Sequence, residues 1–369
     1  MTHRFSDYTS LATGGEMGTY VPLTSKKEAV TKTLEVWAAG HDWLVLGGGT
    51  NLFIGDEGFP GHVLHTRFTG RRETTPSAKH SVVVEVNAGE SWDGLVDYTV
   101  SRGLSGLEAM SGIPGCVGAS VIQNIGAYGH EVHEVLHCVD VLDYRTGEMV
   151  TLGPDELEFD FRTSAFKTGR RQGLIVSVSF TLTRDDQSLP ITYSQLADHL
   201  GVSLGDTAPL QAVRDAVLVL RASKAMVIDP NEPDSVSVGS FFMNPVVSES
   251  FAHTLPAECP KWFLDEAADE VFDLSDGIPN VTTYEHQAAR VKLSAAWLIE
   301  QSGIQKGFSL PGSRARVSTK HSLAITNPNR DATSADIAQL ARYIRTTVGN
   351  RFGLYLAPEP TLVGIDLGD

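Results

Sequence analysis

The residues of this sequence best suited to chemistry lie in two glycine-rich segments. The longer segment, residues 103–130, has the sequence GLSGLEAMSGIPGCVGASVIQNIGAYGH, so its backbone N–H groups form most of its polar surface. Such a surface suits an anion that carries several oxygens. The shorter segment, Gly47-Gly48-Gly49-Thr50-Asn51-Leu52, follows an apolar run at residues 43–46. Together the two segments indicate a large phosphorylated cofactor held between two lobes.

Neither segment matches a standard nucleotide-binding motif. Leu52 stands where the G-x-G-x-x-G fingerprint requires its third glycine, and the G-K-[ST] of a P-loop is absent. A tight turn alone would also explain the glycine triplet. The amides of Asn51, Gln123 and Asn124 favour a cofactor, because they suit the edge of a flavin or the oxygens of a diphosphate.

A third motif has the spacing of a catalytic metal site. His133-Glu134-Val135-Leu136-His137 matches H-E-x-x-H, in which two histidines one helical turn apart bind zinc. Here the motif leads into an alternating apolar segment, residues 135–144. A period of two would place the histidine and glutamate side chains on both faces of a strand, so no metal site is expected.

The elements that position these segments indicate a mixed α+β fold. Apolar residues recur at helical spacing over residues 25–38, 92–102, 211–224, 291–301 and 334–348. Strands are predicted over residues 43–46, 81–87, 135–144 and 174–182. Lys224 falls on the apolar stripe of its predicted helix, either because it extends to solvent or because it serves a function. Residues 229–233, with the sequence DPNEP, are the best candidate linker.

Composition and charge limit the possible partners. The 369 residues fit about two or three domains, and 41% hydrophobic residues are typical of a globular protein. The formal net charge of −16 argues against a nucleic-acid or anionic-membrane partner. Cys116, Cys138 and Cys259 show no C-x-x-C spacing, so neither a disulfide framework nor a thiolate metal site is indicated.

The sequence also predicts where the protein is found. Its first residues, MTHRFSDYTS, lack the basic and apolar regions of a signal peptide. No segment has the roughly 18 apolar residues that a membrane span needs. A cytoplasmic location is therefore expected.

Five motifs in a fixed order make the chain resemble a known family. They are GGGTNL at 47–52, MSGIPGCVGASVIQNIGAYG at 110–129, FRTSAFK at 161–167, GSFFMNP at 239–245 and PEP at 358–360. Over nearly its whole length the chain is similar to the UDP-N-acetylenolpyruvoylglucosamine reductases of bacterial peptidoglycan synthesis, also called UDP-N-acetylmuramate dehydrogenases. Because it has Tyr193, in ITYSQL, the chain resembles the type I subgroup of this family.

The resemblance implies a fold and a domain organisation. The fold would be the α+β FAD-binding fold of vanillyl-alcohol-oxidase-type flavoproteins, with lobes at residues 1–72 and 73–229. A third α+β domain, residues 230–369, would bind the substrate and return its tail to the active site. A monomer is expected.

The resemblance also implies a ping-pong reaction at one shared site. NADPH would pass a hydride to FAD and leave, and the reduced flavin would pass it to the β-carbon of the enolpyruvyl ether of UDP-N-acetylglucosamine, giving UDP-N-acetylmuramate. Ser240 would donate a proton to the α-carbon. Arg162 and Glu359 would polarise the substrate carboxylate and enol oxygen, and we hypothesise that Glu359 is protonated.

The remaining site residues follow from the same resemblance. Substrate contacts are implied for Tyr193, Lys224, Asn244, Tyr284, Lys292 and His321. FAD contacts are implied for Gly47, Gly48, Gly49, Thr50, Asn51, Leu52, Ser111, Gly112, Ile113, Pro114, Gly115, Gly118, Ala119, Gln123, Asn124, Gly126, Ala127 and Arg221. The chain departs from the family in three places: Phe161 replaces a frequent tyrosine, His321 replaces a glutamine, and residues 285–290 lack the usual Asp-Gly before Val291 and Lys292.

Three other functions compete with this reductase. One is a different FAD oxidoreductase, which would not need Arg162, Ser240 and Glu359 together. A second is zinc hydrolysis at His133 and His137. A third is a protein that binds a flavin or a UDP-sugar without turnover.

Overall fold

The first part of the chain folds around a parallel sheet. The structure, a computed structural model, describes residues 2–74, 80–264 and 290–368. The first elements are β1 (Met17–Leu23), α1 (Lys26–Ala38), β2 (Trp43–Leu46), β3 (Leu52–Ile54) and β4 (Phe59–Thr66). Strand β4 pairs in parallel with β1 and β2, and β2 ends at the first glycine segment. The structure confirms the helix predicted over residues 25–38 and the strand predicted over residues 43–46. Ser25 caps α1 by accepting a hydrogen bond from the Glu28 N–H.

The second part of the chain is built on an antiparallel sheet with the strand order β11-β10-β12-β6-β5. The residues of strand β6 alternate between buried and partly exposed, the period of two that predicted it. Helix α3 begins in the middle of the long glycine segment. The elements are β5 (Arg71–Thr74), β6 (Ser81–Asn87), α2 (Trp92–Ser101), β7 (Leu104–Ser105), α3 (Val117–Ile122), β8 (Gly126–Ala127), β9 (His130–Glu131), β10 (Leu136–Asp143), β11 (Met149–Leu152), β12 (Gly173–Arg184), α4 (Ser194–Leu200) and α5 (Leu210–Ala222).

The third part of the chain combines short strands with a long helix. Thr333 and Asp336 form the predicted capping box at the start of that helix, α8. The elements are β13 (Val246–Ser248), α6 (Glu249–Thr254), β14 (Lys261–Phe263), β15 (Arg290–Leu293), α7 (Ala295–Gln301), β16 (Arg316–Val317), β17 (Ile325–Thr326), α8 (Ser334–Phe352) and β18 (Thr361–Val363). No helix in the described part of the chain is long and apolar enough to cross a membrane.

The C-terminal segment returns to the first part of the chain. Strand β18 pairs in parallel with β3, the strand that follows the first glycine segment. Leu11 and Phe53 pack into the apolar core of the third part. The carboxylate of Asp56 accepts the Ser334 N–H at the start of α8, at 3.0 Å from Oδ2. These contacts join the first and third parts, and the predicted domain boundaries stay a prediction.

Two predicted helices have different bounds in the structure. Residues 290–293 form a strand between β13 and β14, and α7 begins only at Ala295. Val291 and Leu293 are buried with the partly exposed Lys292 between them, so this stretch has the period of a strand. Helix α5 ends at Ala222, so Lys224 lies just beyond the helix whose stripe it was predicted to share.

A buried ion pair holds α5 against the long glycine segment. Arg214, whose side chain is 8% exposed, donates to both carboxylate oxygens of Asp93 at 2.7 and 3.0 Å. The Gly112 N–H donates to the same carboxylate at 2.6 Å. Burial alone would raise the pKa of Asp93, but the hydrogen bonds from Arg214 and Gly112 hold it below its usual value. The Asp93 carboxylate therefore holds both α5 and the part of the longer glycine segment around Gly112.

We expect Asp93→Ala to lower the free energy of unfolding by about 2 kcal/mol, because the buried Arg214 would keep only the exposed Asp97 as an ion-pair partner. Urea denaturation at pH 7 measures this loss. Asp97→Ala is the control: Asp97 contacts Arg214 Nε at 3.2 Å but is 68% exposed, so its loss should stay below about 0.5 kcal/mol. Since the carboxylate form is favoured in the folded state, the Asp93 contribution should be present above about pH 4 and lost as the pH falls further. Equal losses in the two variants would contradict this assignment.

Candidate active site

The two glycine segments touch through their backbones. A Cβ added at Gly48 would lie 2.7 Å from the Gly115 Cα, so the approach needs glycine at this position. Thr50 Oγ1 donates to the Pro114 carbonyl at 3.1 Å, which ties the segments together a second time. The Trp92 N–H at the start of α2 donates to the Gly115 carbonyl. Strand β2, which precedes the shorter segment, and helix α2, which bonds to the longer segment, therefore position this contact.

A cleft lies beside this contact and reaches the third part of the chain. A second cleft lies along the first segment and includes Gly47, Gly48, Gly49 and Leu52. The clefts share Thr50, Asn51, Ala119 and Gln123. The predicted site residues that line the first cleft are Thr50, Asn51, Ile113, Pro114, Gly115, Ala119, Gln123, Gly126, Arg162, Arg221, Ser240 and Glu359.

Arg162 stands in the wall of this cleft on a strained backbone. Its φ is +54°, and that of Asn124 beside it is +45°. Such values cost a residue other than glycine of the order of 1 kcal/mol or more, and they cluster at functional sites. The guanidinium donates to the carbonyls of Asn124 at 3.2 Å and Gly126 at 2.5 Å, and Nε lies 3.5 Å from Glu359 Oε1. The backbone carbonyls therefore hold the two terminal nitrogens, and Nε is the nitrogen that faces the carboxyl group of Glu359.

Glu359 is largely buried, with 17% of its side chain exposed. Gln123 Nε2 donates to its Oε1 at 2.8 Å. Burial raises the pKa of Glu359 above its usual value, although Arg162, Lys167 and the Gln123 hydrogen bond act in the opposite direction. Its backbone N–H donates to the Phe241 carbonyl at 2.9 Å, which brings the tail alongside the Ser240 segment.

Ser240 lies between a turn and two buried aromatic rings. Gly239 before it has a φ of +75°, and Phe241 and Phe242 after it are 0% and 1% exposed. The Phe241 N–H donates to the Leu323 carbonyl at 2.7 Å. The residues after it are thus anchored, and Ser240 lies in the cleft that Arg162 and Glu359 also line.

A group of cations lies around His321, next to the end of the first cleft that Arg221 lines. Lys224 Nζ donates to Gln195 Oε1 at 2.8 Å, and Tyr193, 44% exposed, caps the helix that carries Gln195. Burial, together with the charges of Lys224, Lys306 and Arg221, lowers the pKa of His321 to about 4. His321 is therefore neutral at pH 7 beside several cations, an environment suited to an anionic ligand.

Arg221 has an unused donor toward this end of the cleft. Its Nη2 donates to the Met226 carbonyl at 2.8 Å, but its Nε is buried without a hydrogen-bond partner in the described part of the chain. Burial lowers the pKa of Arg221 to about 10, so it stays charged at pH 7. A phosphate oxygen would satisfy such a donor. Together with the glycine contact, these residues fit a phosphorylated cofactor such as FAD.

Two other predicted substrate residues have described neighbours: Lys292 lies near Arg162, and Asn244 lies at the start of α7. Lys292 Nζ lies 4.9 Å from the centre of the Phe161 ring and 5.9 Å from that of Trp262. Asn244 Oδ1 accepts the Ala295 N–H at 2.9 Å, so half of its amide is used to start α7. Tyr284 lies outside the described residues.

Several residues predicted to contact FAD instead use their polar groups within the protein. Asn124 donates to Glu131 Oε2 and to the Asp160 carbonyl, and it accepts the His133 N–H. Ser111 is buried and donates to the Glu108 carbonyl. The Gly112 and Gly118 N–H groups bond to Asp93 and Ala88. Ala127 pairs with His130 between β8 and β9.

The H-E-x-x-H residues do not share a helix. His133 lies in a short 3₁₀ turn, Val132–Val135, whereas His137 lies on β10 and contacts Thr181 Oγ1 at 3.2 Å. Within residues 2–74, 80–264 and 290–368, no group of three or more His, Cys, Asp or Glu side chains could hold a metal ion.

Sequence reasoning missed several residues at this site. Lys167 lines the second cleft and donates to the Glu359 carbonyl at 2.6 Å. It belongs to the FRTSAFK motif, and that position was the available signal. Cys116 and Ser237 also line the first cleft, and Lys306 lies near His321. Cys116 belongs to the motif at 110–129, so its position was also an available signal, whereas no pattern in the sequence indicates Ser237 or Lys306.

Two family profiles match the chain. Residues 20–153 match a profile described as FAD binding domain. Residues 230–363 match the C-terminal domain of UDP-N-acetylenolpyruvoylglucosamine reductase. The first match confirms the predicted FAD-binding part of the α+β fold and supports FAD as the cofactor.

Proteins of the same kind match along nearly the whole chain. The UDP-N-acetylenolpyruvoylglucosamine reductase of Leifsonia xyli is 46% identical over 98% of both chains. That of Thermobifida fusca is 43% identical over 98% of this chain and 97% of its own. The crystal structure of the reductase (MurB) from Thermus caldophilus has a TM-score of 0.62 at 23% identity, covers 98% of both chains and supports the fold. The chain therefore belongs to the UDP-N-acetylenolpyruvoylglucosamine reductase family, as its five motifs predicted.

Proposed function

We propose that this protein reduces the enolpyruvyl ether of UDP-N-acetylglucosamine to UDP-N-acetylmuramate, with NADPH as the electron source. The observation that carries the proposal is that Arg162, Ser240 and Glu359 line one cleft together with both glycine segments. FAD, when bound, supplies the chemistry that accepts a hydride from NADPH and delivers it to the substrate. NADPH and the substrate would use the same cleft in turn, in a cytoplasmic monomer with the three predicted domains.

The chain itself must stabilise negative charge and supply a proton. Hydride addition at the β-carbon of the enolpyruvyl group leaves an enolate, whose α-carbon then needs a proton. Ser240 is suited to deliver it, because the buried Phe241 and Phe242 after it fix its position. A serine is a weak acid, but a carbanionic enolate is a strong enough base to take its proton.

Arg162 is suited to the substrate carboxylate. Its permanent charge and planar fork match a carboxylate, and its contacts to two backbone carbonyls orient it in advance. The strained backbone at Arg162 is consistent with this role, since such strain persists only where surrounding contacts hold it.

Glu359 would act in its protonated form. A carboxylate next to an enolate would oppose the negative charge that develops, whereas a carboxylic acid donates a hydrogen bond to it. The raised pKa of Glu359, caused first by burial, favours the acid. The enolate oxygens would then lie between the Arg162 guanidinium and the Glu359 acid.

The cations at the end of the first cleft would bind the diphosphate and hold the cofactor. Lys224, with the partly exposed Tyr193 nearby, suits the substrate diphosphate. Arg221 would give its unpartnered Nε to a phosphate oxygen of FAD. Lys292 would approach the substrate from the Phe161 side.

One preparation tests the proposal against its competitors. We expect purified protein to carry FAD, to lose its flavin absorbance when NADPH is added without oxygen, and to regain it with the enolpyruvyl substrate. Reoxidation by a different acceptor only would favour another FAD oxidoreductase. A protein that binds flavin but is not reduced would favour a binding function, and one that cannot be loaded with FAD would overturn the proposal.

Ser240→Ala should separate the two half-reactions. Flavin reduction by NADPH should stay close to the wild-type rate, because it needs no proton from Ser240. Reoxidation by the enolpyruvyl substrate should slow by roughly 10²–10⁴-fold, the usual contribution of a placed acid. Stopped-flow absorbance follows both steps, and Ser120→Ala in the same cleft is the control, because among the described residues the Ser120 hydroxyl bonds only to the Val117 carbonyl of its own helix. Equal losses in both steps would argue against Ser240 as the proton donor.

Glu359→Gln should slow the same oxidative step by about 10²-fold or more, because an amide is a much weaker donor than a carboxylic acid. The variant should also be at least as stable as the wild type at pH 8. The raised pKa means that the folded wild type opposes ionisation, so its stability falls as the pH rises above about 4, and glutamine removes that effect. Stopped-flow rates and urea unfolding at pH 5 and pH 8 measure both results. A variant less stable than the wild type at pH 8 would contradict the protonated form.

A further inference from the structure

Lys167 joins three separate segments behind the proposed catalytic groups. Its Nζ donates to the Glu359 carbonyl at 2.6 Å and to Gln123 Oε1 at 3.5 Å. Its own N–H bonds to Ser164 Oγ, which in turn donates to the Ile122 carbonyl at the end of α3. It forms no ion pair with any described carboxylate within 4.0 Å, so its charge serves these two neutral acceptors.

The amide of Gln123 has two possible orientations, and Lys167 distinguishes them. In the observed orientation Oε1 faces Lys167 Nζ and Asn51 Nδ2, while Nε2 donates to Glu359 Oε1 at 2.8 Å. In the reverse orientation the Gln123 NH₂ would face an ammonium group. Lysine has donors only, so it disfavours that orientation. Without Lys167, the Asn51 amide could turn with Gln123 and accept from it.

The orientation of Gln123 decides which oxygen of Glu359 can carry a proton. With Nε2 toward Glu359, Oε1 must accept the hydrogen bond, and Arg162 Nε also lies 3.5 Å from Oε1. No hydrogen bond from the described residues reaches Oε2. In the reverse orientation, the Gln123 carbonyl would instead accept a proton carried on Oε1, away from a substrate.

We propose that Lys167 is a positioning residue that fixes the Gln123 amide and thereby keeps Oε2 of Glu359 as the proton-bearing oxygen. This inference rests on the proposed role of Glu359. Lys167 also holds the Glu359 backbone through its carbonyl, so one side chain sets both the place of the carboxyl group and the direction of its donor.

The charges that face Glu359 are few. The loop at 161–167 supplies Arg162 and Lys167, and both lower the pKa of Glu359 against the effect of burial. The end of α3 and the first glycine segment supply the neutral Gln123 and Asn51. The strand-like residues 241–243 contribute backbone groups only. Removal of the Lys167 charge should therefore raise the pKa of Glu359.

The test uses FAD-loaded protein and three substitutions at one position. Lys167→Met removes charge and donor, Lys167→Gln keeps a donor without charge, and Lys167→Arg keeps both. The infrared C=O band of protonated Glu359, identified by its loss in Glu359→Gln, is titrated with pH. We expect its midpoint to rise by about one pH unit in the Met and Gln variants and to stay near the wild-type value in the Arg variant.

The oxidative half-reaction gives a second measurement. Its rate should fall as the pH rises through the pKa of Glu359. The pH at which the rate falls should therefore be higher by the same amount in the two neutral variants, Lys167→Met and Lys167→Gln. Their plateau should drop about 10-fold, because Gln123 can then turn, and Lys167→Arg should restore most of it. The inference would be overturned if neither the pH at which the rate falls nor the midpoint of the infrared titration changed in Lys167→Met or Lys167→Gln, even if both variants were slow.

The failure of this inference differs from that of the proposed function. If Glu359→Gln leaves the oxidative step unchanged, the proposed role of Glu359 fails. If Glu359→Gln slows the oxidative step but the infrared midpoint is the same in the wild type and the neutral Lys167 variants, only the role of Lys167 fails. Should Lys167→Met not fold, Lys167→Gln carries the same test.

Discussion

The structure depends on the backbone contact between the two glycine segments. Gly48 approaches Gly115 so closely that a side chain at Gly48 would overlap the facing backbone. Strand β2 delivers the first segment to this contact, while Trp92 and Asp93 at the start of α2 hold the second. The two clefts lie on either side of the contact and share the residues next to it. A change that separated the segments would open both clefts at once, whatever the state of the side chains around them.

The charge of the site differs from that of the whole molecule. The chain has a formal net charge of −16, yet Arg162, Lys167, Arg221, Lys224 and Lys292 all lie in or beside the clefts. A local positive field inside an acidic protein draws small anions to one place and leaves the outer surface unfavourable for polyanions. This arrangement suits the proposed substrate, which carries a diphosphate and a carboxylate.

Much of the fold follows from local patterns, and the site follows from them only in part. The period of two in β6 and the Ser25 and Thr333 caps are local features, so the sequence predicts these elements well. Residues 291–293 were predicted as the start of a helix because their apolar residues continue into α7, but they pair with β13 and β14 as a strand. The contact of Lys167 with Glu359 joins residues 192 positions apart, and no local pattern encodes such a pair. The family motifs located the groups that meet, whereas the direction of each hydrogen bond required the structure.

The pairing of β18 with β3 determines when the site is completed during folding. The strand partners Thr361 and Leu52, and the Asn51–Glu359 contact spanning 308 positions, join distant parts of the chain. Closing so long a loop costs entropy before any contact repays it, so these contacts are expected to form after the local helices and hairpins. The contact between Gly48 and Gly115 joins residues much nearer to each other in the chain, so it is expected to form earlier. The pairing of β18 with β3 is therefore expected to bring Glu359 to the cleft last, beside Arg162 and Ser240.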